Sequence, residues 1–195
     1  MLNLDQFRHL IPDNELAGIY HKASFLYGKR IVHINSTYQG GGVAEILYSL
    51  VHLMNDVGIQ TEWRILHGNP AFFEITKKFH NALQGGELHL TEQKKQLYQQ
   101  VNEDFSQMTH MNHDCVVIHD PQPLPLIRFF RKNQPWLWRC HIDLTHPQEE
   151  LWDYLKSFLI QYDHVIVSSD KFIQEDLAIG KTVILPAINP FSLKN

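Results

Sequence analysis

The chain has 195 residues, of which 44% are hydrophobic and 19% charged, and its formal net charge is −4 at pH 7. This length fits one domain with a substantial buried core, and the composition excludes an intrinsically disordered chain. No apolar run approaches the ~18 residues that a membrane helix needs. The negative net charge argues against a general affinity for nucleic acid or anionic lipid. Because no basic region followed by an apolar stretch opens the chain, we expect a cytoplasmic protein.

Strand-like and helix-like patterns alternate after an N-terminal helical segment over residues 1–24. Apolar and β-branched runs predict strands at Ile31–Asn35, Thr61–Leu66, Cys115–His119, Trp136–Ile142, His164–Ser168 and Thr182–Leu185. Helical periodicity predicts helices at Val43–Val57, Ala71–Leu83, Thr91–Met108, Leu124–Lys132, Pro147–Gln161 and Lys171–Leu177. The alternation predicts an α/β domain over residues 25–185, with a Rossmann-like, mostly parallel sheet of about six or more strands and helices on both faces. Residues 186–195, which contain two prolines, are expected to begin a linker.

The two cysteines, Cys115 and Cys140, each lie in an apolar run that is typical of a buried strand. We expect both to be free and reduced, as in other cytoplasmic proteins. The chain also contains 13 histidines. Because no HExxH or paired CxxC spacing occurs, we predict no resident metal ion.

Three consecutive glycines, Gly40–Gly42, follow the first predicted strand and precede an amphipathic helix. Glycine lacks a Cβ atom, so its N–H groups can approach an anion, and the helix adds unpaired N–H groups and its positive dipole end. The alternative is a tight strand-to-helix turn without a ligand. The motif fits neither familiar phosphate loop. Glu45 occupies the last position of a dinucleotide fingerprint, and Glu175 replaces the first glycine of a Walker loop ending at residues 180–182.

Polar residues concentrate at the carboxyl ends of the predicted strands, where open α/β sheets bind ligands. The segments that carry them are Asn35–Thr37, His119–Pro123, Arg139–Asp143 and Ser168–Ser169, and the candidate residues among them are Asn35, Asp120, Gln122, Arg139, His141 and Asp143. The two-residue period of a strand places Arg139, His141 and Asp143 on one face. The three side chains can pair with one another, or they can present donors and an acceptor to a sugar. Asp120 precedes a proline, so turn formation is the competing interpretation of that residue.

Several segments together resemble the trehalose-forming glycosyltransferases of the retaining family 4, which also contains retaining trehalose phosphorylases. The resemblance rests on His33–Thr37 with Gly40–Leu47, Glu62–Arg64, Phe72–Phe73 with Thr76–Gly85, His119–Pro123 and Arg139–Asp143. It extends over nearly the whole chain, most firmly from about Ile31 to Asn195. It implies the N-terminal, acceptor-side half of a two-domain GT-B fold, with residues 186–195 leading to a C-terminal nucleotide-sugar domain. Ala187 and Asn189 depart from the commoner Ser and Asp of that linker.

The resemblance implies that the complete enzyme transfers glucose from ADP-glucose or UDP-glucose to glucose, with retention, and forms trehalose. No side-chain nucleophile is expected, so the protein would position the reactants and stabilise charge. The expected catalytic residues are His141, Asp120 and Arg139. Gly40, Gly41 and Gly42 would face the donor phosphate and sugar, and Asn35, Gln122, Asp143, Lys77 and His80 would bind the acceptor. Lys77 and His80 lie on a helix whose default interpretation is a solvated basic face.

The expected partners are glucose or trehalose and, through a C-terminal domain, a nucleotide sugar with Mg²⁺ as an optional companion. No covalent cofactor, nucleic acid or membrane partner is expected, and a homodimer is left open. We expect this domain to be inactive in isolation. Two alternatives remain open. One is the N-terminal domain of a retaining trehalose phosphorylase, and the other is a stand-alone sugar-binding or interaction module without catalysis.

Overall fold

The computed structural model describes residues 2–191, so Met1 and the last four residues of the predicted linker, Ser192–Asn195, lie outside the described residues. Six strands are present: β1 Arg30–Asn35, β2 Gln60–Ile65, β3 Cys115–His119, β4 Trp136–Arg139, β5 His164–Val167 and β6 Gly180–Val183. The α-helices are α1 Asp13–Ser24, α2 Gly42–Asp56, α3 Pro70–Leu83, α4 Glu92–Gln107 and α5 Glu149–Leu159. Short 3-10 helices occupy Leu4–Phe7, Leu124–Phe129 and Asp170–Phe172. Across residues 2–191, no helix combines the length and apolar character needed to cross a bilayer.

The strands form one sheet in the order β2-β1-β3-β4-β5-β6, and every neighbouring pair is parallel. The predicted parallel α/β sheet is therefore confirmed. The strand order reverses between β1 and β3, because β2 lies on one side of β1 and β3 lies on the other. In open sheets of this kind, a crevice for ligands opens beyond the carboxyl ends of the strands at such a reversal.

The two faces of the sheet are covered by different helices. On one face, Val32, Ile34, Trp136 and Trp138 belong to a large core that also contains buried residues of α3, α4 and α5. On the other face, Ile31 and Val117 pack in a smaller cluster with residues of α1 and α2. The helices on both faces are thus as predicted. Because side chains alternate along a strand, His33, His119 and Arg139 belong to the face of this smaller cluster.

The fourth strand is shorter than predicted, and the expected strand Trp136–Ile142 is wrong beyond Arg139. Cys140 N still donates to Ile166 O at 2.9 Å, but His141 N donates to a side-chain oxygen of Asp120 instead of a neighbouring strand. The backbone therefore leaves the ladder at the carboxyl edge. The alternation in burial nevertheless persists: Cys140, Ile142 and Leu144 are buried, whereas Arg139 and His141 are half-buried and Asp143 is exposed.

Two predicted α-helices and one strand boundary also differ. Residues 124–129 form a 3-10 helix, because prolines at 121, 123 and 125 lack the N–H groups that an α-helix uses. Only Asp170–Phe172 is helical in the predicted helix Lys171–Leu177. There, Gln174 donates to Leu144 O, and Asp176 accepts from Trp152 and Lys156. Strand β6 begins and ends two residues earlier than predicted.

Candidate active site

The glycine turn connects β1 to α2 at the point where the strand order reverses. Gly40 has φ 72° and Gly41, the residue before α2, has φ 108° and ψ 152°. A Cβ atom disfavours both conformations, so the turn requires glycine at these positions. Gly40 and Gly42 line a cleft of about 650 Å³ between the exposed side of α2 and residues 186–191. The turn is therefore open to a ligand on its outer side.

Replacing Gly41 by alanine is expected to lower the free energy of unfolding by about 1–3 kcal/mol, because its φ and ψ lie in a region that is essentially restricted to glycine. Gly42 is the matched control. It begins α2 without a positive φ, and a Cβ atom there would meet nothing within 4 Å. We expect Gly42→Ala to leave stability unchanged or slightly raised, as measured by urea denaturation. Equal effects of the two substitutions would contradict the backbone argument.

Asn35 ends β1 and supports the turn from below. Its side chain is 3% exposed. Asn35 Nδ2 donates to Thr37 O at 2.6 Å, and Asn35 Oδ1 accepts from Trp63 Nε1 at 2.7 Å. Both polar atoms of the side chain thus hold the loop and the neighbouring strand β2. Its expected contact with an acceptor sugar stays a prediction.

Asp120 directly follows β3 and has φ 59°, the only positive φ outside glycine in residues 2–191. Three contacts hold this conformation. Asp120 N donates to Arg139 O at 2.9 Å, Asp120 O accepts from Trp138 Nε1 at 2.9 Å, and Asp120 Oδ1 accepts from His141 N at 2.8 Å. A strained residue that its surroundings fix so completely points to a functional site.

The segment after Asp120 is anchored from α4. The buried Tyr98 hydroxyl donates to Pro121 O, and Asn102 Nδ2 donates to Gln122 O at 3.1 Å. The anchor of Gln122 is therefore its backbone carbonyl, and its half-buried side chain stays a candidate for the acceptor sugar. Helix α4 thus sets the position of the loop that carries Asp120.

The charges at this edge are tuned by burial. Burial raises the pKa of Asp120 to about 7, although the His141 N–H bond and the Arg139 charge act in the opposite direction. Burial lowers the pKa of Arg139, and Asp120 partly offsets this. Arg139 Nε is buried and has no hydrogen-bond partner among the described residues. A carboxyl group that titrates near neutral pH beside a half-buried guanidinium is suited to binding and polarising a hydroxyl group.

Two further histidines contact His141 from inside the sheet. His33 Nδ1 lies 2.9 Å from His119 Nε2, and His119 Nδ1 lies 3.0 Å from His141 Nε2. Burial lowers the pKa of His33 and of His141 to about 4 and lowers the pKa of His119 well below its ordinary value, with the Arg139 charge as an additional cause. All three imidazoles are therefore neutral at pH 7.

The structure brings Asp120, Arg139 and His141 together, whereas three other candidates make no hydrogen bond to them among the described residues. Asp143 is exposed, and Thr145 donates to Asp143 Oδ1 from its N at 2.8 Å and from its Oγ1 at 2.5 Å, which lowers the pKa of Asp143. Lys77 and His80 lie on α3; Lys77 is exposed, and burial lowers the pKa of the half-buried His80. Within residues 2–191, no hydrogen bond connects these three residues to the Asp120–His141 pair. Their proposed roles stay predictions.

Sequence reasoning missed His33, and it placed His119 at this edge of the sheet without assigning it a role. Each is a polar residue within a run of buried strand residues, and a buried polar side chain requires a partner. That requirement was the available signal, but the partner was not predictable because β1 and β3 are far apart in the chain. Among the described residues, His, Cys, Asp and Glu form no group of three or more that could hold a metal ion.

Comparison with known proteins adds the family. A family model described as the N-terminal domain of trehalose synthase matches residues 33–174, which contain every candidate residue of this edge. The chain belongs to the trehalose synthase family. It is 50% identical to the trehalose synthase of Thermococcus litoralis over 195 residues, which are 98% of this chain and 47% of that protein. The chain thus spans about half the length of the curated trehalose synthases it matches.

Two more distant similarities place the trehalose synthase domain among related proteins. A trehalose phosphorylase of Grifola frondosa is 27% identical, over 95% of this chain and 29% of that protein. A solved structure described as trehalose-6-phosphate from E. coli bound with UDP-2-fluoro glucose matches with a TM-score of 0.57 and 16% identity, over 83% of this chain and 49% of the other. At this identity the likeness concerns the fold alone, which is that of a GT-B glycosyltransferase.

Proposed function

We propose that this chain is the acceptor-binding domain of a retaining glycosyltransferase that transfers glucose from ADP-glucose or UDP-glucose to glucose and so forms α,α-trehalose. The nucleotide sugar would be bound chiefly by a second domain, which corresponds to the part of the relatives that this chain does not cover. The domain by itself would be inactive, because half of the donor site would be missing.

One observation carries the proposal. Asp120 and His141, which are joined by the hydrogen bond from His141 N to Asp120 Oδ1, lie at the carboxyl edge of the sheet, close to the reversal of strand order. Both residues belong to the region that the trehalose synthase family model matches. This is where an open α/β sheet accommodates a ligand. The groups at this edge are a carboxyl, a guanidinium and an imidazole, which are hydrogen-bonding partners suited to sugar hydroxyls.

Each group has a role that its surroundings support. Asp120 would accept a hydrogen bond from an acceptor hydroxyl, and its pKa of about 7 suits a group that shares a proton with that hydroxyl. Arg139, which is half-buried, would donate through its guanidinium group. His141 would lie against the transferred sugar. Preorganised dipoles of this kind stabilise the charge that develops when the glycosidic bond to phosphate breaks.

The glycine turn would face the donor. Gly40–Gly42 would bring backbone N–H groups and the positive end of α2 toward the diphosphate and the reacting glucose. Any Mg²⁺ would then accompany the diphosphate. A domain arranged in this way supplies positioning and charge stabilisation and no side-chain nucleophile.

The direct test is saturation-transfer NMR of the 195-residue chain with glucose and ADP-glucose, followed for hours for the anomeric signal of trehalose. We expect saturation transfer to glucose in the wild type and no trehalose. The saturation-transfer signal of glucose should be lost in Asp120→Ala. The exposed His67→Ala is the matched control. A fusion of this chain to the C-terminal half of the Thermococcus litoralis enzyme should form trehalose. Trehalose from the isolated chain would disprove its inactivity, and an inactive, non-binding fusion would disprove the acceptor role.

The similarity to a trehalose phosphorylase supports one alternative, in which the same site serves trehalose and phosphate. Two fusions distinguish the reactions, one to the C-terminal half of the Thermococcus litoralis synthase and one to the C-terminal part of the Grifola frondosa phosphorylase, each supplied with glucose and a nucleotide sugar and, separately, with trehalose and inorganic phosphate. Release of glucose 1-phosphate would support the phosphorylase. Reaction only with a nucleotide sugar would support the synthase. A chain that binds glucose in a fusion that carries out neither reaction would support the non-catalytic module.

A further inference from the structure

Three imidazole rings, those of His33, His119 and His141, form a continuous histidine chain from the sheet interior to the candidate active site. His33 lies in β1, His119 ends β3, and His141 follows β4. Their nitrogens are 2.9 Å apart between His33 and His119 and 3.0 Å apart between His119 and His141. His33 is 5% exposed and His119 is 0% exposed, whereas His141 is half-buried. Only His141 therefore reaches the surface of the site.

The two contacts couple the tautomers of the three rings. A neutral imidazole carries one N–H, and each nitrogen-to-nitrogen contact needs one donor and one acceptor. If His119 carries its proton on Nδ1, it donates to His141 Nε2 and accepts from His33 Nδ1, so every ring is the Nδ1–H tautomer. If His119 carries its proton on Nε2, every ring is the Nε2–H tautomer. The histidine chain therefore has only these two tautomeric states.

The buried end of the histidine chain discriminates between the two tautomeric states. His33 Nε2 is buried and has no hydrogen-bond partner among the described residues. In the Nε2–H state this nitrogen would be a buried donor without an acceptor, and in the Nδ1–H state it is a buried acceptor without a donor. Among buried backbone groups, unpaired N–H donors are the rarer of the two. The same preference applied to the imidazole favours the Nδ1–H state.

The outer end then acquires a defined character. Within residues 2–191 no hydrogen bond reaches His141 Nδ1, and His141 Nε2 is already engaged by His119. We propose that His119 is a positioning residue that holds His141 as the Nδ1–H tautomer, so that it presents a hydrogen-bond donor, and not an acceptor, to a sugar hydroxyl oxygen. The inference rests on the proposed function for the identity of this ligand. The tautomer itself is measurable without any ligand.

The charged groups around the histidine chain are compatible with three neutral rings. Arg139 lies on the same sheet face as His33 and His119, and its positive charge disfavours protonation of all three rings. The Asp120 carboxyl contacts the His141 backbone N–H and not the ring. In the Nδ1–H state, protonation of His119 or His141 would turn an accepting nitrogen into a donor and break a contact in the histidine chain, whereas protonation of His33 would place a charge on a buried nitrogen without an acceptor. Neutrality and the shared tautomer therefore support each other.

The test is ¹⁵N NMR of the imidazole nitrogens in the 195-residue chain at pH 7, assigned with single His→Asn variants. We expect protonated Nδ1 and bare Nε2 at residues 33, 119 and 141. In His119→Leu the group that donates to His141 Nε2 is lost, and we expect His141 to become a mixture of the two tautomers. In His33→Leu the unpaired buried nitrogen becomes His119 Nε2, so the same preference holds and we expect the Nδ1–H form of His141 to be retained. His67→Asn, at an exposed site, should change nothing.

Two results would overturn the inference. One is a wild-type chain in which His141 is the Nε2–H tautomer, charged, or an equilibrium mixture like that of free histidine. The other is a folded His119→Leu variant whose His141 signals are those of the wild type. If His119→Leu does not fold, the wild-type tautomers and the His33→Leu variant, in which His141 should still be the Nδ1–H form, decide the matter. These signals do not depend on catalysis, so the proposed function could fail while this inference stands, or the reverse.

Discussion

His141→Ala is expected to reduce trehalose formation by at least about 100-fold in the fusion with a C-terminal donor half, which is the usual cost of removing one preorganised donor at a developing charge. The fold should survive. The contact that holds the loop is made by the backbone N–H of residue 141 to Asp120 Oδ1, and alanine retains it. The substitution leaves His119 Nδ1 without its partner, which costs about 1–3 kcal/mol of stability.

The measurement is initial rate against glucose concentration, with thermal unfolding recorded for each variant. His67→Ala is the control, because His67 is exposed and also lies after a strand of the same sheet. The loss should appear in kcat, since His141 is proposed to act on the transferred sugar. Near-normal turnover by a folded His141→Ala fusion would remove this residue from the active site.

The second large effect concerns acid. We expect the chain to lose stability as the pH falls from 7 to 4, because His33 and His141 are neutral in the folded state down to a pKa of about 4. Unfolded histidine binds its proton near pH 6.5, so the unfolded state gains protons first and the loss grows between pH 6.5 and pH 4. For each residue the shift corresponds to about 3 kcal/mol, and His119 adds in the same direction.

Asp120 acts with the opposite sign. Its pKa is raised to about 7 in the folded state, so it contributes stability that is fully present below its unfolded pKa and is lost as the pH rises through 7. As the pH falls from 7 to 4, its protonation therefore offsets part of the histidine effect. Asn at this position keeps an oxygen that accepts from His141 N but cannot bind the proton. Asp120→Asn should thus become acid-sensitive more steeply than the wild type, by about 3 kcal/mol between pH 7 and pH 4.

Urea denaturation at a series of pH values, followed by tryptophan fluorescence, provides the measurement. Asp143→Asn is the control, because Asp143 is exposed and its pKa is lowered, not raised. Asp143 is therefore ionised in both the folded and the unfolded state over most of this range, so the pH profile of Asp143→Asn should run nearly parallel to that of the wild type. A wild-type stability that does not change between pH 7 and pH 4.5, or an Asp120→Asn profile parallel to the wild type, would contradict the assignment of these buried groups.

Much of the site could be predicted because it depends on local chemistry. The carboxyl ends of strands carry Asn35, Asp120 and Arg139, and these positions follow from where each apolar run stops. The glycine turn followed from three residues without Cβ atoms next to a helical pattern, and two of the three adopt positive φ. In contrast, the extension of β4 to Ile142 was wrong because a bond from His141 N to Asp120 Oδ1 replaces the ladder. Sequence periodicity does not contain that bond.

The sequence by itself determined the α/β class, the parallel sheet and, through its resemblance, the trehalose synthase family, and it predicted the edge of the sheet where the candidate site lies. Hydrophobic periodicity and turn residues act over a few neighbouring positions, so they can be recognised in the sequence alone. Only the tertiary structure decided that His33 contacts His119, that His119 contacts His141, and that Asp120 is held at positive φ. It also decided that burial shifts the pKa values of these three histidines and of Asp120. These properties arise from contacts between strands that are 86 and 22 residues apart in the chain. Distance and desolvation in the folded state, and not residue type, determine their strength.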